Sequence, residues 1–201
     1  MDIEQMTNDS LILASASPRR AQLLREAGFS FTIQTSPVAE PTRKPAAIPT
    51  ELWPMALAFI KAHAAQQKLR HKDALVIGAD TIVVLAGRIL NKPANRAHAR
   101  RMLLCLSGKT HLVITGLALL RGDHHRLTRA VSVCRVRKLS PRWLETYLDS
   151  NLWQGKAGAY GIQDYNAPWV TLLTGERSNV IGLPMDLLKS ELQSMMPVQR
   201  S

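Results

Sequence analysis

The sequence is poor in cysteine and has no long apolar run. Its two cysteines, Cys105 and Cys134, lie apart inside apolar segments, without the close spacing that metal ligands need. We therefore expect both to be reduced core residues of a cytoplasmic protein. No apolar run approaches the roughly 20 residues of a membrane-spanning helix, and residues 1–9 are polar and acidic. We therefore expect neither a membrane span nor a signal peptide.

Aromatic side chains are scarce, whereas positive charge is abundant. Three Phe and three Tyr provide little aromatic surface, and no motif of an RNA-binding sheet is present. The 26 Lys and Arg against 15 Asp and Glu give a net charge of +11, and the isoelectric point is near 10.3. This excess suits a polyanionic small substrate, a nucleic acid or general surface charge. Because the basic residues are spread along the chain, charge alone does not separate these readings.

The chain of 201 residues is long enough for one domain with a sizeable core. We expect a single domain over residues 1–201, with residues 1–9 as a flexible tail.

Apolar runs and alternation predict strands over residues 11–14, 29–35, 74–79, 110–120, 127–139 and 170–173. They also predict a hairpin around Gly87 and a solvated turn containing His124 and His125. Cap signals and periodicity predict helices over residues 18–27, 50–70, 96–106, 141–149 and 185–195, with Thr50 as one N-cap.

One segment combines a buried strand, a tight turn and a helix start. Residues 11–14 form the short apolar run that a buried strand needs. Ser17 and Pro18 then supply an N-cap and a first helical position. The turn leaves backbone N–H groups at the helix N-terminus beside Arg19 and Arg20, which predicts an anion site. A surface helix with two solvated arginines is the alternative.

Two further segments carry residues suited to binding a ligand. Asp80 follows the apolar run 74–79, at the strand end where α/β sheets bind ligands. Its desolvated carboxylate must be offset by a cation, a metal or hydrogen bonds, unless it only caps the next turn. In the glycine-rich stretch 155–163, Lys156 supplies charge and Gln163 offers a donor and an acceptor to a base.

Six short motifs follow one another along the chain. They are Leu13-Ala-Ser-Ala-Ser-Pro-Arg-Arg20, Gly78-Ala-Asp-Thr81, Asn91-Lys-Pro93, Leu106-Ser-Gly108 with His111, Lys156-Ala-Gly-Ala-Tyr-Gly-Ile-Gln163, and Ser178-Asn-Val-Ile-Gly-Leu-Pro184. Each motif alone is a weak signal, whereas six in this order are not a chance similarity. With them the sequence resembles the Maf proteins, a family of nucleoside triphosphate pyrophosphatases, over residues 11 to 192.

The resemblance implies an α/β fold with an elongated central mixed sheet, flanking helices and two lobes around a cleft, similar to the inosine triphosphate pyrophosphatases. It implies hydrolysis of a nucleoside triphosphate to the monophosphate and pyrophosphate with a divalent metal, Mg²⁺ or Mn²⁺. Such an activity prevents the incorporation of non-standard nucleotides. The expected partner is the substrate rather than a membrane or a nucleic acid, and a homodimer is a candidate assembly.

The resemblance also implies roles for single residues. Asp80 falls on the family's proton acceptor. Arg19, Thr81 and Gln163 fall on the positions that separate the family's branches, and they match the branch that prefers dTTP and UTP over 7-methyl-GTP. The positions that line the family's phosphate site are Ser15, Arg20, Lys61, Lys92 and Lys156.

Two positions depart from the family's pattern. Ala39-Glu40 stands where the family has two acidic residues, so one expected carboxylate is lost. Gly155 stands where an aspartate commonly precedes the lysine. We still expect activity, because Asp80 and the basic residues are present.

The chemistry of these residue types is consistent with the implied reaction. Cleavage between the α- and β-phosphates needs neutralisation of charge, a metal and an oriented water. Glu40 and Asp80 are hard oxygen ligands suited to Mg²⁺. Asp80 is equally suited to act as the general base on the attacking water, and the sequence leaves both roles open.

Two other functions remain as alternatives. The net charge of +11 and the lost carboxylate are compatible with a nucleic-acid-binding or regulatory module on the same fold. A general housekeeping hydrolase that also accepts modified pyrimidine triphosphates is the other alternative.

Overall fold

A computed structural model describes residues 11–35, 41, 43–69, 73–164 and 169–195. No helix within these ranges is both long and apolar enough to cross a membrane. The described strands are β1 (Leu11–Leu13), β2 (Thr32–Ile33), β3 (Leu75–Leu85), β4 (Arg88–Leu90), β5 (Thr110–Arg121), β6 (His124–Val136) and β7 (Val170–Thr174). The described helices are α1 (Pro18–Glu26), α2 (Trp53–Gln66), α3 (Arg96–Leu106), α4 (Pro141–Asp149), α5 (Arg177–Ile181) and α6 (Met185–Met195), with a 3₁₀ turn at Ala157–Ala159.

The described strands form a seven-stranded mixed sheet. The strand order is β2-β1-β3-β5-β6-β7, and β4 pairs with β3 outside this path. Strand β1 runs parallel to both β2 and β3, whereas β4 is antiparallel to β3 and β7 is antiparallel to β6. The α/β class and the mixed sheet that the resemblance implies are therefore confirmed.

The chain divides into two compact units. Unit 1 takes its described residues from Met1–Asp80, Thr115–Ala130 and Gly182–Ser201, and unit 2 takes them from Thr81–Ile114 and Val131–Ile181. The single domain expected over residues 1–201 stays a prediction.

Alternation along β3 explains the core of unit 1. Leu75, Ile77 and Ala79 pack with apolar side chains from α1 and α6. Val76 points the other way and packs with alanines from α2. A strand that is covered on both faces needs a nearly continuous apolar sequence, which is why this segment shows no polar alternation.

Helix α2 lies too close to the sheet for a Cβ at two strand positions. A Cβ at Gly78 would overlap the carbonyl oxygen of Ala58. One at Gly116 would overlap the backbone of Pro54 and Met55. Protein interiors are packed as densely as organic crystals, so such an overlap cannot be absorbed without movement of the backbone. Glycine is therefore required at both positions by the packing of α2.

Large aromatic side chains fill the core of unit 2. Tyr147 of α4, Tyr160 and Trp169 are all buried. The ring of Trp169 lies 5.1 Å from that of Tyr147 and 5.7 Å from that of Tyr160, between centroids. These separations fall in the range that favours aromatic pairs.

The predicted N-caps Ser17, Asn95 and Ser140 of α1, α3 and α4 are confirmed. The side chain of Asn95 accepts a hydrogen bond from the N–H of His98 before α3, at 2.8 Å. Ser140 does the same for Trp143 before α4, at 3.3 Å. Gly28 follows α1 with a φ of +80°, which glycine adopts without strain. Helices α3, α4 and α6 have the predicted bounds.

Several predicted boundaries are wrong. The N-cap of α2 is Leu52 rather than Thr50. Strand β2 spans only two residues, both exposed, instead of a half-buried strand over residues 29–35. His124 and His125 belong to β6 rather than to the turn before it. The short helix α5 had no local signal that predicted it.

The two cysteines differ in environment. Cys134 is buried as predicted, but Cys105 is exposed, so its assignment to the core is wrong. Met102, Leu103 and Leu106 form the buried face of α3. Helical periodicity then places position 105 on the opposite face.

We expect Gly78→Ala to destabilise the protein by about 2 kcal/mol, because α2 must move to admit a methyl group and overpacking of a core costs roughly 1–3 kcal/mol. Urea denaturation followed by circular dichroism measures this loss. The control is Gly122→Ala, since no atom lies within 4 Å of a Cβ at that position. Its positive φ of +56° limits the expected loss to about 1 kcal/mol. A loss at Gly78 no larger than at Gly122 would contradict the packing argument.

Candidate functional site

The turn between β1 and α1 holds a buried serine and a buried arginine together. Arg20 is 9% exposed and Ser15 is 7% exposed. Arg20 donates from Nη1 to Ser15 Oγ at 3.0 Å and from Nε to the carbonyl oxygen of Gly182 at 2.7 Å. The alternative of two solvated arginines is therefore wrong for Arg20. Arg19, the neighbouring residue, is half-buried on α1.

Asp80 lies inside β3 rather than at its end, because the strand continues to Leu85. The sequence placed it at a strand terminus, and that placement is wrong. The Nζ atom of Lys61, on α2, lies 2.5 Å from Oδ1 of Asp80, and the two side chains are only 16% and 13% exposed. The offsetting cation that a desolvated carboxylate requires is therefore Lys61.

The close approach of α2 accounts for this contact. Gly78 and Asp80 are two residues apart on β3 and therefore face the same side of the sheet. Ala58 and Lys61 are three residues apart on α2 and therefore share one helix face. Because Gly78 abuts Ala58, Lys61 reaches Asp80.

The end of β1 lies beside the same part of β3. The N–H of Ala14 donates to the carbonyl oxygen of Ile77 at 2.8 Å, which continues the parallel pairing beyond Leu13. Ser15 follows Ala14, and Asp80 lies three residues beyond Ile77. Unit 1 therefore brings four of the predicted site residues to one end of the β1–β3 pair: Ser15, Arg20, Lys61 and Asp80.

In unit 2, Lys156 is buried against a carboxylate that none of the six motifs includes. Its Nζ atom lies 2.6 Å from Oδ1 of Asp164, and the two residues are 8% and 7% exposed. The hydroxyl of Tyr147 and the N–H of Gly161 both donate to Oδ2 of Asp164. The sequence shows only that a charged residue directly follows Gln163. It does not show that this residue contacts Lys156.

The loop before Asp164 has an unusual backbone. Gly158 and Ala159 adopt consecutive positive φ values of +67° and +64°, and such a conformation strains an alanine. The N–H of Gly158 donates to the carbonyl oxygen of Asn91 at 3.2 Å. Since Lys92 follows Asn91, the structure brings the segments that contain Lys92 and Lys156 together.

Gln163 presents a buried acceptor. Its Oε1 atom has no hydrogen-bond partner among the residues that the structure describes. Thr81 is half-buried on β3, and Lys92 is exposed. The specificity roles of Arg19, Thr81 and Gln163, and the phosphate-binding role of Lys92, stay predictions.

The predicted metal ligands are only partly described. Asp80 is described, whereas Glu40 and the departure at Ala39 lie outside the described residues. Within the described ranges, no group of three His, Cys, Asp or Glu side chains is arranged to hold a metal ion. Mg²⁺ is commonly bound by one or two carboxylates together with substrate phosphates. Asp80 fits a cation held in that shared way, and Lys61 Nζ lies 2.5 Å from its Oδ1.

Two of the six motifs belong to the framework of unit 2. Asn179 is fully buried, and its Nδ2 donates to the carbonyl oxygen of Val113 at 3.1 Å and to Ser132 Oγ at 2.8 Å. These bonds join α5 to β5 and β6. His111 is also buried, with Nε2 2.6 Å from the hydroxyl of Tyr160. It thereby connects β5 to the glycine-rich loop.

Burial lowers the pKa of His111 to about 4, against a smaller opposing effect of the Lys109 backbone. Burial also raises the pKa of its partner Tyr160 well above the usual value of 10 and raises the pKa of the neighbouring Cys134 thiol. All three groups are therefore neutral at pH 7.

We expect the free energy of unfolding to fall as the pH is lowered from 6.5 to 4. The unfolded chain has a histidine pKa near 6.5 and binds a proton in this range that the folded chain does not bind, so acid favours unfolding. The pKa shift corresponds to roughly 3 kcal/mol. Urea denaturation at several pH values measures it, with His111→Gln as the reference that lacks the titrating group. A pH dependence that is identical in both proteins would contradict the assignment.

Comparison with known proteins gives one family and one fold. The chain matches the family described as Maf-like protein over residues 10–195. It is 44% identical over 175 residues to a dTTP/UTP pyrophosphatase of Symbiobacterium thermophilum, covering 87% of this chain and 88% of that protein. It is 45% identical over 177 residues to a dTTP/UTP pyrophosphatase of Moorella thermoacetica, with coverages of 87% and 89%. Among solved structures, the Staphylococcus aureus Ham1 protein is similar with a TM-score of 0.50 and 11% identity, covering 92% of this chain and 99% of that one; this likeness concerns the fold alone.

Proposed function

The chain belongs to the Maf family, and from this premise we propose that it hydrolyses nucleoside triphosphates, dTTP and UTP in particular, to the nucleoside monophosphate and pyrophosphate. The observation that carries the proposal is the shielded Lys61–Asp80 pair beside the buried Ser15–Arg20 pair. It supplies a fixed carboxylate and two fixed cations at one end of β1. Relatives at 44% and 45% identity are named dTTP/UTP pyrophosphatases, which supports the same substrates here.

Asp80 is the group that acts on water in this proposal. A carboxylate that is held within reach of a water accepts its proton as the water attacks the α-phosphorus. The contact with Lys61 holds the carboxylate in one orientation. Positioned bases contribute typically 10²–10⁴-fold to a rate, so this residue should dominate the kinetics.

Fixed cations bind the phosphates. Arg20 is held by Ser15 and Gly182, in the first turn of α1, where the helix dipole favours anions. Lys92 and Lys156 are the other proposed phosphate-binding lysines. Groups that are already oriented need no rearrangement when charge develops on the phosphoryl oxygens, and this preorganisation lowers the barrier.

A divalent cation, Mg²⁺ or Mn²⁺, would supply additional charge stabilisation when it is bound with the substrate. Asp80 is the described carboxylate that would contribute to holding it, together with phosphate oxygens. The residues of this chain would then orient the phosphates and accept the proton of the attacking water.

Gln163 is proposed to select the base. Uracil and thymine present an N–H donor between two carbonyl acceptors, and the buried Oε1 of Gln163 is an acceptor without a partner among the described residues. A base that leaves this acceptor unpaired is rejected, because unsatisfied buried polar groups cost about 1–3 kcal/mol each. Arg19 and Thr81 are the other proposed specificity residues. Neither the described contacts nor the comparisons favour the alternative of a nucleic-acid-binding module.

We expect the full-length protein to release pyrophosphate from dTTP and UTP in the presence of Mg²⁺, and Asp80→Asn to lower kcat by about 10²–10⁴-fold through loss of the base. A coupled pyrophosphate assay over a panel of nucleoside triphosphates measures both. Asp149→Asn is the matched control, since that carboxylate is 69% exposed and pairs with Arg96 on the surface; it should leave kcat unchanged. Absent turnover of both nucleotides, or full activity in Asp80→Asn, would refute the proposal.

We expect Gln163→Leu to lower the preference for UTP over CTP at least about tenfold, because a lost hydrogen bond of about 1.4 kcal/mol corresponds to that factor. The ratio of kcat/KM for the two nucleotides measures the preference. Gln154→Leu is the control, because Gln154 is exposed and its side-chain amide donates a hydrogen bond to Asn151 Oδ1, away from the buried Oε1 of Gln163. An unchanged ratio in Gln163→Leu would assign base selection to other residues.

A further inference from the structure

Asp164 is a buried carboxylate on which three donors converge. Lys156 Nζ lies 2.6 Å from each of its oxygens. The hydroxyl of Tyr147 donates to Oδ2 at 2.7 Å, and the N–H of Gly161 donates to the same oxygen at 2.9 Å. A charge buried in a protein is tolerated only when it is paired and hydrogen-bonded. Removal of either Lys156 or Asp164 alone would therefore leave the other charge uncompensated.

The glycine-rich loop is built closely around this carboxylate. A Cβ at Gly161 would lie 2.8 Å from Oδ1 of Asp164, nearer than carbon and oxygen approach without a bond. Residue 161 must therefore lack a side chain for its N–H to reach Asp164. One side chain thus holds two points of the same loop, the ammonium group of Lys156 and the backbone of Gly161.

The core of unit 2 holds Asp164 in turn. Tyr147 is fully buried. Its ring lies 5.1 Å from the rings of both Trp143 and Trp169, between centroids. Its hydroxyl is therefore a fixed donor, and Asp164 connects this fixed point of α4 to Lys156.

We infer that Asp164 is a positioning residue for the proposed pyrophosphatase site, which fixes the Lys156 ammonium group for a substrate phosphate and sets the loop that presents Gln163. This inference rests on the proposed function. Asp164 itself contacts no substrate and acts through Lys156. A displacement of about 1 Å in a binding group can lower a rate by about 10²-fold. Loss of a residue that positions Lys156 can therefore lower the rate by a similar factor.

The test is a double-mutant cycle on kcat/KM for dTTP, measured in the full-length protein with Mg²⁺. The variants are Asp164→Asn, Lys156→Met and the two combined. Asparagine keeps the size of the side chain but removes its charge, and we expect kcat/KM to fall about 10–100-fold. In the Lys156→Met background the same change should cost less than about threefold, because the group through which Asp164 acts is already absent.

Asp149→Asn is the matched control. It makes the same change of aspartate to asparagine, but in an exposed surface pair with Arg96, so we expect kcat/KM within about threefold of the wild type. Circular dichroism melts of every variant define the temperature at which all are folded. If Asp164→Asn does not fold, Asp164→Glu is measured in its place, because it keeps both charges but displaces the Lys156 ammonium group. Full kcat/KM in that variant overturns the inference.

The outcomes separate the two proposals. A wild-type protein that cleaves neither dTTP nor UTP overturns the proposed function and this inference with it. Two results with an active wild type overturn this inference alone. In the first, the losses of kcat/KM from Asp164→Asn and Lys156→Met multiply in the double variant. In the second, Asp164→Asn keeps full kcat/KM. A loss at Asp149→Asn equal to that at Asp164→Asn also overturns it, because the effect would then not depend on the contact with Lys156.

Discussion

The fit of helix α2 against the sheet is the constraint on which the described part of unit 1 depends. Gly78 and Gly116 leave room for the helix backbone, and the side chains that face the strands include Ala58 and Ala62. Close packing maximises dispersion contacts and excludes water. Since helix and strand have fixed periods, the same packing also sets the position of Lys61 against Asp80. The proposed reactive geometry is therefore fixed by the core rather than by a flexible loop.

Each unit contains a lysine and an aspartate that shield each other from solvent. A buried ion pair is weak evidence of stability, because desolvation offsets most of its attraction. Its value in a phosphate site is that the ammonium group is already oriented before an anion arrives. Gly155 stands where the family commonly has an aspartate before the lysine. In this chain Lys156 contacts a carboxylate at position 164. A chain with a net charge of +11 thus places carboxylates at the buried lysines of its proposed site.

Features that depend on neighbouring residues could be predicted from the sequence, and features that depend on distant ones could not. The caps at Asn95 and Ser140 and the apolar run of β3 are local, and the structure has them where expected. Asp80 was expected to end a strand because a charge normally stops an apolar run. It does not, since Lys61 reaches it from another element. Asp164 and the glycine at 116 acquire their roles only through contacts with α4, Lys156 and α2. The family motifs include most of the proposed site residues. They do not include the supporting residues Asp164 and Gly116.

The central claim is hydrolysis between the α- and β-phosphates, and the most direct measurement is ³¹P NMR of dTTP during turnover by the full-length protein with Mg²⁺. We expect the resonances of dTMP and pyrophosphate to increase together and in equal amounts, with no dTDP and no inorganic phosphate. Appearance of dTDP with inorganic phosphate would show cleavage at the γ-phosphate. That result would contradict the roles assigned here to Asp80 and to the cations around it.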